Sequence, residues 1–286
     1  MLDLIQTNVA LSVGLAAMVG LLFGSFANVV IARFPVMLQR QWQQDCAETL
    51  GQPVSPAPRF NVAVPGSQCP ACKTSLRWYE NIPVISYFLQ MGKCRHCRSA
   101  ISSRYPLVEI YSALLTAFAI ATFGFNALGW SYALFIYALM VLTFIDKDHM
   151  LLPDQLTLPL VWLGLLVSLQ LSPVSPTDAI IGAAAGYLSL WSVYWLFKLV
   201  TGKEGMGYGD FKLLAAIGAW LGWQMLPMII LLSSVIGALY GIAMILLRRH
   251  QQGKPMPFGP FLALAGIVAL FFGDWLYSTY WHWLGL

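Results

Sequence analysis

Four aspartates lie at the ends of apolar stretches in this sequence, where acids are unusual. Asp146, Asp148 and Asp154 occur in "LTFIDKDHMLLPD", and Asp210 ends the glycine-rich run "GMGYGD". Acidic side chains in or beside membrane segments are rare and are candidates for function by default. Three of the four also have a plainer interpretation. Asp154 and Asp210 each precede an apolar segment and can cap its helix, and Asp148 can be a solvated loop residue.

Asp146 is harder to explain as a structural residue. It ends an apolar helix, where the macrodipole is unfavourable for a carboxylate, so it needs a compensating arrangement. If Asp146 and Asp210 meet, they cannot both ionise easily, and they share one proton. One can then act as a base on water and the other as an acid on a carbonyl oxygen or leaving nitrogen, as in aspartic proteases. Three glycines near Asp210 permit close approach of a peptide: Gly205, Gly207 and Gly209.

Four cysteines carry a second kind of chemistry, metal binding. They form two C-x2-C pairs, "CPAC" and "CRHC", at Cys69, Cys72, Cys94 and Cys97. This spacing favours a tetrahedral zinc site, which is structural because four thiolates leave no open position for water. Disulfides are the alternative, but they seldom persist in the cytoplasm, where the basic character of this region places it. His96 is not expected to be a ligand, and Cys46 is expected to be a free thiol.

The elements that position these residues are predicted to be membrane helices. Of 286 residues, 58% are hydrophobic and 10% are charged, whereas soluble domains carry about 25% charged residues. A helix crosses the hydrocarbon core with about 20 apolar residues. The predicted fold class is all-α and polytopic, with about eight transmembrane helices. The apolar segments lie near 9–32, 107–123, 128–146, 156–171, 178–200, 211–223, 226–247 and 259–281.

The sixth segment is too short for an untilted crossing, yet an even number of crossings is needed between Lys212 and Arg248 if both face one side.

Three regions follow from this pattern. Residues 1–32 form the first transmembrane helix. Residues 33–106 form a cytoplasmic, zinc-ribbon-like insert that contains the four cysteines and an irregular stretch rich in Pro and Ser. Residues 107–286 form the core that contains the aspartates.

The distribution of basic residues predicts the orientation in the membrane. Nine of the 16 basic residues lie between Arg33 and Arg104. The basic loops follow the first, third, fifth and seventh segments, and basic loops face the cytoplasm. Both termini are therefore expected in the periplasm, and Asp146 and Asp210 at the cytoplasmic edge. No pattern of interleaved basic and aromatic residues accompanies this excess, so no nucleic-acid partner is expected.

Several motifs resemble those of the type IV prepilin peptidases, the membrane aspartic proteases of the GxGD type. The resemblance rests on "FID…LPD" and "GMGYGDFKLLA", on the paired cysteines, and on "GSFANVVIARFP", "WYENIPVISY", "RYPLVEI" and "PFGPFLALAG". It implies an enzyme of the bacterial inner membrane that cleaves the basic leader from prepilins and type II secretion pseudopilins at the cytoplasmic face. It also implies N-methylation of the new N-terminus with S-adenosylmethionine. The family's catalytic pair falls on Asp146 and Asp210.

A methyl-transfer site is not evident from any motif, because no glycine-rich loop follows a predicted strand. Glu109, just inside the second segment, can bind a cationic donor or a substrate amine. For every candidate, a packing or snorkelling role is equally open. In "GLLFG" the spacing of Gly20 and Gly24 predicts close helix packing. The residues proposed for methyl-donor or substrate binding are Asn28, Arg33, Glu80, Asn81, Arg104, Glu109, Gly207 and Gly209.

Two other classes of function are alternatives to a bifunctional peptidase. A small transporter would place its acids near the bilayer midplane, at broken helices, rather than at one face. A zinc-ribbon membrane scaffold of a secretion or pilus machine would need no acids. Substitution of Asp146 and Asp210 separates the scaffold from the enzyme.

Overall fold

The computed structural model describes residues 8–52, 58–247 and 256–283, and these are mostly helical. Within these ranges, β-type pairing is limited to two isolated bridges in the insert, at Gln68–Ser75 and Lys93–Ala100. Two short 3-10 helices, Trp78–Asn81 and Trp223–Met225, accompany the α-helices. The α-helices are α1 (Val9–Thr49), α2 (Ile85–Leu89), α3 (Arg104–Phe123), α4 (Ala127–His149), α5 (Asp154–Ser168), α6 (Pro176–Thr201), α7 (Tyr208–Leu221), α8 (Leu226–Leu246) and α9 (Gly259–Trp283).

The chain divides into two compact units, Met1–Ala133 and Leu134–Leu286. The first contains α1 to α3 and the four cysteines, and the second contains α5 to α9 and both candidate catalytic aspartates. The predicted all-helical membrane fold is confirmed, with differences in where individual helices begin and end.

Helix α1 continues well beyond the apolar segment predicted at 9–32. Its 41 residues span about 60 Å, which is twice the thickness of a hydrocarbon core. The predicted apolar segment ends before Arg33, but the helix continues through Arg33 and Pro35. The run that follows, residues 36–49, contains four Gln and one each of Glu, Leu, Met and Arg. These are strong helix formers, so the helix extends outside the apolar layer. The first part of the 33–106 insert, up to Thr49, is therefore helical.

Helices α1 and α3 pack closely in the first unit through small residues. A Cβ atom added at Gly20 would lie 2.7 Å from the Cα of Ala113, and one at Gly24 would lie 2.6 Å from the Cα of Glu109. Lipid tails are as apolar as the helix surfaces, so association in a membrane depends on such close backbone contact. The packing role predicted for Gly20 and Gly24 is confirmed.

Helix α7 lies at the centre of the second unit. Every residue from Leu213 to Trp220 is buried, and α5, α6 and α9 pack around it. The backbones of Gly182 and Gly218 meet where α6 contacts α7. Trp220 donates a hydrogen bond from Nε1 to the Leu160 carbonyl at 2.8 Å and stacks on Phe135. A helix that is apolar on all sides is typical of such a buried position.

Six helices in the described ranges are long and apolar enough to cross a membrane: α1, α3, α4, α6, the Trp223–Leu246 stretch and α9. Helices α5 and α7, with 15 and 14 residues, span about 22 and 21 Å. That α5 and α7 also cross the membrane, which would make eight crossings, stays a prediction. The basic loop expected after the seventh segment falls largely on residues 248–255, which lie outside the described residues.

Candidate active site and metal centre

Asp146 lies in the last turn of α4 and is 5% exposed. Its Oδ2 accepts a hydrogen bond from the backbone N–H of Gly259 at 3.0 Å. Gly259 is the first residue of α9, so its N–H has no partner within that helix and carries part of the positive end of the helix dipole. The N-terminus of α9 thus compensates for the unfavourable position of Asp146 on α4.

Gly259 was not among the residues selected from the sequence. A Cβ atom there would lie 2.6 Å from Asp146 Oδ2 and 3.1 Å from Leu152 Cδ1. Only a residue without a side chain lets the backbone approach the carboxylate this closely. The available signal was the motif "PFGP", in which a glycine precedes Pro260 at the start of an apolar run. Proline in the first turn of a helix marks its beginning.

Asp210 lies in the first turn of α7 and is 6% exposed. Its carboxyl group interacts with the backbone N–H of Gly207, the residue at which α7 is capped. Its own N–H donates to the Gly207 carbonyl at 3.2 Å. The capping interpretation of Asp210 is only partly correct, because Asp210 lies in the first turn of α7 but the N-cap residue is Gly207. It does not account for the burial of the side chain beside a second carboxylate.

The two aspartates come together in the second unit through one side chain, Leu152. Its Cβ lies 2.7 Å from where a Cβ of Gly209 would be, and its Cδ1 packs on Gly259. Gly209 precedes Asp210, and Gly259 binds Asp146, so Leu152 joins the two carboxylate sites. The carboxyl groups are close enough to interact electrostatically. Such a pair can hold and transfer a proton.

The other two aspartates have different surroundings. Asp148 is exposed. Asp154 is the first residue of α5, whose N-cap is Pro153 and carries no side-chain cap bond. Its carboxylate instead pairs with Lys212 Nζ at 2.6 and 2.7 Å. The capping role predicted for Asp154 is wrong, because a cation from α7, remote in sequence, binds the carboxylate.

The three glycines before Asp210 differ in their surroundings. A Cβ at Gly205 would press on the Phe197 ring at 2.9 Å, and one at Gly209 would press on Leu152. Gly207 is exposed, and its nearest neighbours would be at 3.9 Å or more, Asp210 Oδ2 among them. Gly207 therefore leaves open space beside the carboxylate, while Gly205 and Gly209 serve close packing.

The four cysteine sulfurs of the insert form a cluster in which all lie within 4.8 Å of one another. Cys69 Sγ and Cys97 Sγ are 3.8 Å apart, which matches the edge of a tetrahedron with Zn–S bonds of about 2.3 Å. None of the five cysteines, all within the described residues, is in a disulfide. The backbone N–H groups of Cys72 and Ala71 lower the pKa of Cys69 to about 6. These thiols fit a thiophilic metal.

The two cysteine pairs adopt the same local turn. The N–H of Cys69 donates to the Thr74 carbonyl at 3.0 Å, and that of Cys94 donates to the Ser99 carbonyl at 2.8 Å. The residue after each pair has a positive φ, 59° at Lys73 and 60° at Arg98. The sequence showed two C-x2-C pairs, and the structure extends the repeat to the residues that follow each pair.

The polar residues selected for methyl transfer have local partners in the first unit. Glu109 is 8% exposed. Its Oε2 accepts the Val84 N–H at 2.7 Å, and the Ser25 hydroxyl also hydrogen-bonds to it. Glu80 Oε2 accepts the Arg77 N–H at 2.9 Å. Both carboxylates therefore hold insert backbone in place.

The four remaining candidates differ in their surroundings. Asn28 donates to the Tyr105 carbonyl at 3.1 Å and joins α1 to α3. The Arg33 guanidinium donates to backbone carbonyls of the loop 61–66 and thereby ties that loop to α1. Arg104 is partly buried at the start of α3. Asn81 is exposed, which leaves its side chain accessible to a ligand.

Comparison with known proteins assigns both units. A model described as the type IV leader peptidase family matches residues 133–242, and one described as the bacterial peptidase A24 N-terminal domain matches residues 18–123. The chain is 49% identical over 288 residues to the prepilin leader peptidase/N-methyltransferase of Pseudomonas aeruginosa, covering 100% of this chain and 99% of that protein.

Proteins of the same name from two other bacteria are also similar. The protein of Stutzerimonas stutzeri is 53% identical over 266 residues (93% of this chain, 92% of that protein). The protein of Aeromonas salmonicida is 55% identical over 269 residues (91% of each chain). No solved structure matches the chain. The chain therefore belongs to the type IV leader peptidase family.

Proposed function

We propose that this protein removes the leader peptide from type IV prepilins and type II secretion pseudopilins and then methylates the new N-terminus. Relatives that cover nearly the whole chain are named prepilin leader peptidase/N-methyltransferase, which supports both activities. The observation that carries the peptidase assignment is the buried pair Asp146 and Asp210, contributed by helices far apart in the sequence.

In the proposed cleavage, one carboxylate takes a proton from water as the water oxygen attacks the scissile carbonyl carbon. The other carboxyl group donates its proton to the carbonyl oxygen. The tetrahedral intermediate then collapses, the C–N bond breaks, and a proton passes to the leaving amine. Gly259 holds Oδ2 of Asp146, so Oδ1 is the oxygen that we assign to proton transfer. The open side of Gly207 gives the peptide access to Asp210.

In the proposed methylation, the new N-terminal amine attacks the methyl carbon of S-adenosylmethionine, the S–C bond breaks, and the amine loses a proton. S-adenosylmethionine is a substrate of this step. Asn28, Arg33, Glu80, Asn81, Arg104 and Glu109 remain the residues proposed for its site. Among them Asn81 is favoured as a direct contact because it is exposed, whereas Glu80 and Glu109 bind insert backbone and position it.

The metal that we propose for the four cysteines is zinc, in a structural role. Four thiolate ligands complete a tetrahedron and leave no position for a reacting water. We further propose that the protein lies in the bacterial inner membrane with both termini in the periplasm and Asp146 and Asp210 at the cytoplasmic face. The basic composition of the insert supports this orientation.

The test uses purified protein and a synthetic prepilin peptide, with and without S-adenosylmethionine. Mass spectrometry reports leader removal and the methyl increment separately. We expect cleavage in both reactions and the methyl increment only when S-adenosylmethionine is present. Asp146→Asn and Asp210→Asn should each abolish cleavage, and Asp148→Asn, on the exposed side of the same helix end, should retain it. Normal cleavage by either of the first two variants would overturn the assignment of the pair.

A further inference from the structure

The short helix α2 exposes an apolar surface within the basic insert. Four side chains form this surface, which we call the α2 patch: Ile85 (57% exposed), Phe88 (66%), Leu89 (79%) and Met91 (76%). The 3-10 helix that packs against α2 adds Trp78, which is 80% exposed. A contiguous exposed apolar surface of this kind marks an interaction site.

A partly buried hydrogen bond sets the depth of α2 relative to the membrane helices. Val84, the residue directly before α2, donates its N–H to Glu109 Oε2. Glu109 is the sixth residue of α3 and lies about 8 Å from the start of that helix. It also packs against Gly24 of α1, which is about 13 Å along that helix before Arg33. Both helices can cross a bilayer, so α2 begins at a depth where lipid surrounds them.

The backbone at Val84 is held firmly at this depth. Its φ is 61°, an uncommon value for a β-branched residue, which persists only where the surroundings impose it. The hydrogen bond to the buried Glu109 is such a constraint. The start of α2 is thus fixed against α3.

The surroundings of the α2 patch are basic. Hydrogen bonds from Gly92 to the Tyr87 carbonyl, at 2.9 Å, and from Ile101 to the Gly92 carbonyl, at 2.7 Å, join α2 to the second cysteine pair. The turn that contains this second pair exposes three cations, Lys93, Arg95 and Arg98. Cations beside an apolar helix face are typical of segments that lie in the interface of an anionic bilayer.

We propose that the α2 patch is buried in anionic phospholipid, in the leaflet where α3 begins, with the basic side chains of the second cysteine turn at the headgroups. The depth of Val84 favours lipid over a soluble partner, and Trp78 suits the headgroup level, where tryptophan is enriched. The patch then anchors the metal centre at the membrane surface. This inference goes beyond the proposed enzymatic function and does not depend on it.

Photo-crosslinking in nanodiscs tests this arrangement in the full-length protein. The photoreactive residue p-benzoylphenylalanine replaces Phe88 in one variant and Leu89 in another, in discs of phosphatidylethanolamine and phosphatidylglycerol. The matched control position is Gln44, which is exposed on the polar extension of α1. Illumination is done with and without a prepilin peptide, and mass spectrometry identifies the partner. We expect lipid adducts at 88 and 89, several-fold above those at 44.

Discs made only of phosphatidylcholine test the role of charge. Lipid adducts at 88 should persist there, because the apolar contact remains, but with a lower yield because the cations lose their partners. An equal yield in both discs would overturn the anionic part of the proposal. Adducts to the prepilin peptide or to a second copy of the chain, or lipid adducts no more frequent than at position 44, would overturn the proposal itself.

Discussion

The metal centre and the aspartate pair are assembled in opposite ways. The four cysteines come from two short segments, and each pair is shaped by its own turn, closed by a hydrogen bond to a carbonyl five residues later. Asp146 and Asp210 lie on α4 and α7, and their immediate support includes Gly259 at the start of α9. The metal centre is therefore specified largely by local sequence, whereas the aspartate pair depends on the packing of three separate helices.

Loss of the carboxylate of Asp146 or Asp210 should have the largest effect on the rate of leader cleavage. Asp146→Asn or Asp210→Asn replaces a proposed proton-transfer group by an amide that can neither take nor return a proton, and general acid–base groups contribute about 10²–10⁴-fold to rate. Initial rates of leader cleavage on purified, detergent-solubilised protein provide the measurement. An equal loss in Asp148→Asn, the matched control, would show that the charge at this membrane edge, and not the pair, is what matters.

Removal of the proposed metal from the four cysteines should loosen the insert and leave the aspartate pair intact. Metal binding and folding are coupled in small four-ligand sites, so a chelator should increase hydrogen exchange across residues 69–100. Exchange in α7, residues 208–221, should be unchanged, because it is held by helix packing in the second unit. Hydrogen exchange with mass spectrometry before and after chelation measures both. Equal loosening of α7 would contradict the local character of the metal centre.

Gly259→Ala should slow cleavage by about 10- to 100-fold, since small displacements of a catalytic group have effects of this size. The added Cβ would lie 2.6 Å from Asp146 Oδ2 and would displace the carboxylate or the start of α9. The loss should be in kcat with little change in KM. Gly273→Ala in the same helix is the matched control, because its Cβ would meet only the flexible end of Met225. Similar kinetics in the two variants would remove Gly259 from the site.

Loss of the ion pair between Lys212 and Asp154 should have the smallest effect on stability and on cleavage. Its carboxylate side chain is 52% exposed, and exposed pairs contribute about 0–1 kcal/mol. Lys212→Met and Asp154→Asn, singly and together, should each change the free energy of unfolding by no more than this, with cleavage near normal. A double-mutant cycle from thermal unfolding in detergent measures the coupling. A large coupling would make this pair part of the support of the aspartates rather than a surface contact.

Much of the fold and part of the site were predictable from the sequence. Each of the eight predicted apolar segments lies mainly on a helix of the described residues, and six of these helices are long and apolar enough to cross a membrane. Apolar runs in lipid favour helices, because the backbone groups then pair within one segment. The end of α1 was not predictable from the apolar segment at 9–32, because the helix continues through Arg33 and Pro35 into a polar run. Tertiary contacts also overrode local rules at Asp154, where Lys212 took the place of a capping interaction.

What the sequence alone determined are the features that depend on neighbouring residues: the helical segments, the two cysteine turns and the close packing at Gly20 and Gly24. Tertiary structure decided which residues meet across long separations. It brought Gly259 to Asp146 and tied Glu109 to Val84. Such contacts follow from how helices pack against each other, and the 3.6-residue periodicity of each helix does not specify its neighbour. The acids could therefore be selected as candidates from their residue types, but their environments came only from the fold.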